Sequence, residues 1–319
     1  MEIIHGLHNL RPRHRGCVAT IGNFDGVHHG HQMLLSHLIA KADELSLPSL
    51  LITFEPLPRE FFQRDVMQAR LTRFREKITL LARTRLDRVL CIPFNEALAN
   101  TPAMRIVEDV FVKALDIRYL VVGDDFQFGE GRKGNYQLLR EAGEVLGFGV
   151  THMGTLTFEE NRVSSTRIRE VLAAGQFDLA EQMLGYAYFI MGRVVYGRQL
   201  GRQLDVPTAN IRLQRYRAVL EGVYAVKVAG LDRDYLGIAN IGIRPTVEGK
   251  EPLLEVHLFD FGADIYGRLL TVTFCHKLRD EQKFAGLAEL KAQIHADIKS
   301  AKRWFSANAA TGNAGIAND

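Results

Sequence analysis

The hydrophobic period changes once along this chain of 319 residues, near residue 185, and that change constrains the fold more than any other feature. Upstream, short apolar runs alternate with stretches of helical spacing. CVATI (17–21) precedes residues 29–47, where Leu34, Leu38, Ala42 and Leu45 recur at helical intervals. The alternation continues through PSLLITF (48–54), a charged helical stretch over about 72–85, and DRVLCIPF (87–94). A helix over about 102–115 follows, with Thr101 expected as its N-cap and Pro102 in its first turn, then IRYLVVG (117–123), a helix over about 135–146 and GFGVTHM (147–153). Repeated β-α-β units with continuously apolar strands predict a parallel sheet covered on both faces, with ligands at the carboxyl ends of its strands. From Tyr188 onward strand follows strand: FIMGRVVYG, PTANIRL, GVYAVKVAG, YLGIANIG, LLEVHLFDF and LLTVTFCHKL, separated by turn residues such as Gly197, Gly222, Gly230, Gly249 and Gly267. Six short strands without intervening helices predict a small antiparallel barrel. A helix over 286–304 closes it, with Leu287, Leu290, Ile294 and Ile298 on one face. The expected division is residues 1–185, residues 186–305 and a flexible tail, 306–319.

Composition narrows the class. Hydrophobic residues make up 47% and charged residues 24%, as in an ordinary globular protein. Forty Lys and Arg against 37 Asp and Glu leave a net charge of +3, too small and too evenly spread for a nucleic-acid or membrane surface. No apolar run approaches the roughly 18 residues of a membrane span, and the N-terminus lacks the apolar core of a secretory signal. Cys17, Cys91 and Cys275 are far apart and each is flanked by apolar residues. They read as reduced thiols of a cytoplasmic protein, not as a disulfide framework or zinc site. The expected partners are small-molecule substrates, with no nucleic acid and no membrane; weak self-association stays open.

Two motifs in the first half point to phosphate chemistry. GNFDGVHHGH (22–31) sits where the first strand ends and the first helix begins. Gly22, Gly26 and Gly30 let backbone approach a ligand closely, and the helix N-terminus beyond favours an anion. His28 and His31 flank Gly30, so both imidazoles can face the same oxygens. The blander alternative is a glycine-rich turn with surface histidines; the preceding strand and the Gly-x-Phe-Asp run weigh against it. SSTRIR (164–169) opens a further helix, where Ser or Thr can cap and Arg167 and Arg169 can reach phosphate oxygens. Taken alone it reads better as capping with solvated arginines; its place downstream of a phosphate-type loop in the same domain weighs against that. In the second half, Thr208 and Asn210 stand two apart and point to one side if extended, as hard oxygen ligands suited to magnesium. The alternative there is a Pro-Thr turn with local hydrogen bonds. Along 253–261, Glu255, His257 and Phe259 share one face.

These residues carry a resemblance. Residues 1–185 resemble the nucleotidyltransferase superfamily with its His-x-Gly-His and Ser-Ser-Thr-x-Ile-Arg motifs. Residues 15–305 resemble the prokaryotic bifunctional riboflavin kinase/FAD synthetase family, with TFEP (53–56), DFQFGEGRKGN (125–135), IGIRPTV (241–247) and RDEQKF (279–284) as further matches. The resemblance implies an α/β Rossmann-like nucleotidyltransferase domain with a parallel sheet, followed by a six-stranded antiparallel β-barrel with a C-terminal helix. It implies that the first domain adenylylates FMN to FAD with ATP and magnesium, and that the barrel phosphorylates riboflavin to FMN. His28 and His31 would then hold the triphosphate and stabilise the departing pyrophosphate, Ser164, Thr166 and Arg169 would contact phosphates, and Gly22, Asn23, Phe24, Asp25 and Gly30 would line the nucleotide. An FMN phosphate oxygen would attack the α-phosphorus in line, so positioning and charge stabilisation suffice without a protein nucleophile.

In the barrel, GRQLDVPTANI (201–211) resembles the motif Gly-Arg-x-Leu-Gly-x-Pro-Thr-Ala-Asn. Gly201 and Arg202 would meet ATP, Thr208 and Asn210 the metal, and Glu255 would be the base for the riboflavin 5′-hydroxyl. Asp125, Asn135 and Arg279 are expected near flavin. Two positions depart from the pattern: Asp124 stands where the family often has an apolar residue, and Asp205 where it usually has Gly. The alternatives are a single-activity nucleotidyltransferase acting on another phosphate ester with an inactive barrel, an aminoacyl-tRNA ligase, and a flavin-binding regulatory barrel. Glu255 with the Pro-Thr-Ala-Asn run argues against the first, a short β-rich C-terminal half against the second, and two otherwise unexplained phosphate motifs against the third.

Overall fold

The computed structural model describes residues 1–62, 68–154, 157–158, 161–197, 206–213, 215, 217–246 and 249–309. They form two compact units, Met1–Arg167 and Ile168–Asp319.

The first unit is a six-stranded sheet in the order β1-β4-β3-β2-β5-β6, every neighbouring pair parallel. Its strands are β1 Glu2–His5, β2 Cys17–Ile21, β3 Ser49–Glu55, β4 Arg88–Pro93, β5 Ile117–Gly123 and β6 Gly149–Met153. All five residues of β2 are buried, which is why CVATI is continuously apolar. β1 escapes the apolar pattern because it is an edge strand in which only Ile4 is buried. From β2 the chain moves outward through β3 and β4 on one side and later through β5 and β6 on the other. The strand order therefore reverses beside β2, and the crevice outside its carboxyl end is the natural ligand site of such a sheet.

The helix α1, His29–Leu45, leaves from that point and buries Leu35, Leu38 and Ala42; Leu45, at the end of the expected stripe, is exposed. Short helices α2 Pro58–Phe62, α3 Phe74–Leu81 and α4 Glu96–Ala99 follow. The helix expected over 102–115 begins as α5, Ala103–Ile106, and continues over Val107–Ala114 as a wider π-helix that buries Val107, Val110 and Phe111. Its N-cap is Pro102, not Thr101. The Thr101 hydroxyl instead donates back to the Ala97 carbonyl at 2.7 Å, the competing local bond open to any threonine that follows a helical turn. Asn135 caps α6, Tyr136–Leu146, by accepting the Leu138 amide at 3.0 Å, and Gly147 ends it in the left-handed region. The small hairpin β7 Thr157–Phe158 and β8 Asn161–Arg162 precedes α7, Ser165–Ala173, which crosses the division between the units.

In the second unit, α8, Phe177–Leu184, ends on left-handed Gly185. The strands β9 Phe189–Val195, β10 Ala209–Arg212, β11 Gly222–Ala229, β12 Tyr235–Thr246, β13 Gly249–Leu258 and β14 Leu269–Arg279 close into a barrel in the order β10-β13-β12-β11-β14-β9. Every pair is antiparallel. β12 and β13 run longer than the apolar pattern indicates, because the register continues through Pro245↔Lys250 to Thr246↔Gly249. The final helix α9, Leu287–Ala309, buries Ala301 and packs Ile294, Ile298, Trp304 and Phe305 against Ala225, Ile238 and Phe259. It outruns the expected end at 304, so 306–309 are helical, a correction to the tail. Trp304 and Phe305 are anchored there, and the Ser306 hydroxyl and Asn308 amide bond back to Lys302 and Trp304 carbonyls at 2.9 and 2.8 Å. Residues 310–319 lie outside the described ones.

Candidate functional site

The loop from β2 into α1 is held in an unusual path. Gly26 has φ 85°, and two residues with side chains, Phe24 and Val27, have φ 48° and 39°. Left-handed backbone at such residues persists only when the surroundings fix it. Asp25, 4% exposed, accepts the Leu71 and Thr72 amides at 3.1 and 2.9 Å and the Thr72 hydroxyl at 3.3 Å. The Thr72 hydroxyl in turn accepts the Gly26 amide at 2.9 Å, and the Gln32 side chain donates to the Val27 carbonyl at 2.8 Å. The Ser165 hydroxyl donates to the Asp25 carbonyl at 2.9 Å, so the start of α7 is bonded to this loop. The fully buried Lys77 of α3 donates to the Asn23 carbonyl at 2.6 Å.

On this frame the two histidines stack, ring centroids 3.7 Å apart, and Phe24 backs His31 at 4.7 Å. A Cβ at Gly30 would stand 3.3 Å from the His28 ring, which explains the glycine between them. His28 is the N-cap of α1 but makes no side-chain capping bond. The Nδ1 of His31 is enclosed and has no hydrogen-bond partner among the described residues. Burial, then the neighbouring His28 and Lys77, hold His31 well below the usual imidazole range, so the ring is neutral near pH 7. An enclosed, unpaired ring nitrogen at the carboxyl end of the sheet's central strand is a polar atom awaiting a ligand.

The other expected residues of this unit divide. The Ser164 hydroxyl accepts the Arg167 amide at 3.3 Å and so starts α7, while Thr166 is exposed and Arg169 half-buried. Asp125 pairs with Arg162 at 2.6 Å. Asn135 caps α6. The carboxyl ends of β3 and β4 carry a cluster that the motifs do not reveal. Phe54, Phe61 and Phe62 each meet Phe94 edge-on at 5.5 to 5.7 Å, and Phe62 is 64% exposed. Beside them Arg70 is held by Glu55 at 2.8 and 3.0 Å and by Glu60.

In the barrel, Glu255 of β13 is in register with Asn210 of β10 on one side and Asn240 of β12 on the other. Partners in register share a face, so one carboxylate stands between two amides. Asn210 is 6% exposed; a Cβ at Gly197 would come within 2.4 Å of its side chain, so that glycine makes its room. His257, on the same face as Glu255, donates its Nδ1–H to the Pro207 carbonyl at 2.9 Å and ties β13 to the segment bearing Thr208. Burial lowers the His257 imidazole from its usual value and this bond opposes the shift. Asn240 bonds Glu281, whose carboxyl is raised chiefly by burial and which lies where a Gly242 Cβ would fall. Arg279 forks onto Asp297 of α9 at 2.8 to 3.1 Å. Gly201, Arg202 and Asp205 lie outside the described residues. The thiols offer no reactive group: burial raises Cys17 to about 12 and Cys91 and Cys275 to about 11.

Comparison with known proteins follows the same division. The FAD synthetase family model matches residues 10–167 and the riboflavin kinase model residues 184–305. A Pseudomonas fluorescens protein named bifunctional riboflavin kinase/FMN adenylyltransferase is 50% identical over 95% of this chain and 97% of the relative. Proteins of the same name from Haemophilus influenzae and Escherichia coli K12 are 46% and 47% identical, over 96% of this chain and 100% and 98% of theirs. A solved structure from Streptococcus pneumoniae named a macrolide-efflux protein is 27% identical with a TM-score of 0.77, over 95% of this chain and 100% of that one. Among the described residues, no helix is long and apolar enough to cross a membrane.

Proposed function

The chain belongs to the bifunctional riboflavin kinase/FMN adenylyltransferase family, and from that premise we propose that it carries out both named reactions with ATP, at two separate sites. Riboflavin takes the γ-phosphoryl group of one ATP to give FMN and ADP. FMN then takes the adenylyl group of a second ATP to give FAD and pyrophosphate.

For adenylyl transfer, the observation that carries the reading is the unpartnered Nδ1 of His31 at the point where the strand order reverses. An FMN phosphate oxygen attacks the α-phosphorus while the bond to the pyrophosphate oxygen breaks, and negative charge grows on the leaving group. The imidazoles of His28 and His31 and the first amides of α1 are donors to that charge. Asp25 serves from beneath by fixing the loop, its carboxylate being occupied by Leu71 and Thr72. Ser164, just before α7, and Thr166, in its first turn, are the phosphate contacts of this reading. The phenylalanine cluster ending in exposed Phe62 offers the isoalloxazine ring an apolar surface at the same ends of the strands.

For phosphoryl transfer, Glu255 accepts the proton of the riboflavin 5′-hydroxyl as its oxygen attacks the γ-phosphorus. Asn210 and Asn240 stand in register on either side of that carboxylate. Thr208 and Asn210 supply the hard oxygen donors that suit magnesium, so the residues fit the ion. Magnesium bound there would neutralise phosphate charge. The alternative of an inactive barrel is not favoured: the riboflavin kinase model spans it and its Glu255 row is complete. A cytoplasmic location is the companion proposal, supported by three free thiols. Incubation with riboflavin, ATP and magnesium, then separation of flavins, tests the reading: FMN and then FAD should accumulate. FMN alone would refute the adenylyl site, and FAD from supplied FMN alone would refute the kinase site.

A further inference from the structure

Lys77 is fully buried, and neither of its two hydrogen bonds is to a carboxylate: its Nζ donates to the Asn23 carbonyl at 2.6 Å and to the Thr53 hydroxyl at 3.3 Å. It is buried on α3 with Leu80 and Leu81, and with Glu76, whose carboxylate accepts the Arg73 amide at the helix start; an apolar residue at position 77 would serve the packing at least as well. Burying an ammonium is costly, and replacing such groups by apolar ones is often neutral or stabilising. The charge therefore calls for a reason beyond packing, and its position supplies one. Asn23 opens the segment in which Phe24 and Val27 hold left-handed backbone, and His28 follows directly. Asp25, Thr72 and Ser165 also fix that segment; Lys77 adds positive charge to it, and His31 of α1 senses that charge.

We propose that Lys77 is a positioning residue for adenylyl transfer: its buried ammonium pins the Asn23 carbonyl, fixes the loop that presents His28 and His31, and places a positive charge behind the triphosphate. This rests on the assignment of the 22–31 loop to that reaction. The charge must be present for the device to work. Lys77 faces Asp25 from the loop, Glu55 from β3, Arg70 from the segment before α3, Cys91 from β4 and His31 from α1. Burial lowers the ammonium below its usual range, and Asp25 and Glu55 oppose the shift in part. The proton is therefore lost at a lower pH than for an exposed lysine, and adenylyl transfer should weaken on the alkaline side.

The test measures FAD formation from FMN between about pH 7 and 10 in full-length parent, Lys77→Met, Lys77→Arg and His31→Ala proteins. Lys77→Met should lower kcat about 10- to 100-fold with KM for FMN within about threefold, and riboflavin phosphorylation should be unchanged. Lys77→Arg, which keeps its proton throughout, should retain more activity than Lys77→Met and hold its rate to higher pH than the parent. A Lys77→Met kcat within twofold of the parent, or a Lys77→Arg profile superimposable on the parent's, overturns the proposal. The arginine comparison decides alone if the methionine variant does not fold. Loss of activity in His31→Ala with none of the Lys77 effects defeats this inference only; full activity in His31→Ala defeats the site assignment beneath it.

Discussion

His31 shows most directly what a side chain contributes at this site. Leaving an enclosed polar atom unbonded costs about 1–3 kcal/mol in a folded protein, a cost that a ligand acceptor or donor would remove. His28→Ala and His31→Ala should each lower FAD formation from FMN roughly 10²–10³-fold, the usual loss when one donor to developing transition-state charge is removed. Riboflavin phosphorylation in the same preparations should be unaffected, and paired assays of the two steps check both statements. The histidines were legible because the pattern that marks them is local: glycine, two histidines and a helix start within ten residues. Asp25 was legible only as a neighbour of the nucleotide. Its partners Leu71 and Thr72 come from 46 and 47 residues away, and no local pattern announces so distant a bond. Lys77 left a fainter mark, a lysine one turn ahead of Leu80 and Leu81, which α3 buries. Arg279 read as a flavin contact, and its guanidinium turns out to be engaged by the buried Asp297.

At the scale of elements, the barrel site depends on a strand end yielding space. Gly197 follows β9, and any side chain there meets Asn210. Gly197→Ala should displace the Asn210 amide and raise KM for magnesium-ATP in the kinase step by about tenfold, equivalent to roughly 1.4 kcal/mol, without changing FAD formation from FMN. Steady-state kinetics of both steps would show it; an unchanged kinase KM would remove Asn210 from the ATP site. Strands were the most readable elements because their apolar runs match their burial, as the five buried residues of β2 do. Edge strand β1 and the long β12–β13 hairpin were less so. The first buries only Ile4, and the second carries its pairing past Pro245 and Gly249, residues that ordinarily read as breaks. The C-terminal helix extends past its apolar stripe because Trp304 and Phe305 anchor it to the barrel surface.

For the whole molecule, the change of hydrophobic period foretold a parallel sheet followed by a closed barrel, and each has its own hydrophobic core. The account's central claim is that two chemically separate sites reside in one chain, joined only by the FMN that one makes and the other consumes. The most direct test mixes two inactivated full-length proteins. Glu255→Gln keeps the shape of the base but removes its proton-accepting power, so FMN formation should fall about 10²–10⁴-fold while FAD formation from FMN persists. His31→Ala should do the reverse. Given riboflavin, ATP and magnesium, neither variant alone should make FAD at the parent's rate. An equimolar mixture should make FAD readily through FMN released by one protein and taken up by the other. A mixture no better than its components, with each variant stably folded, would contradict the separation of the two sites.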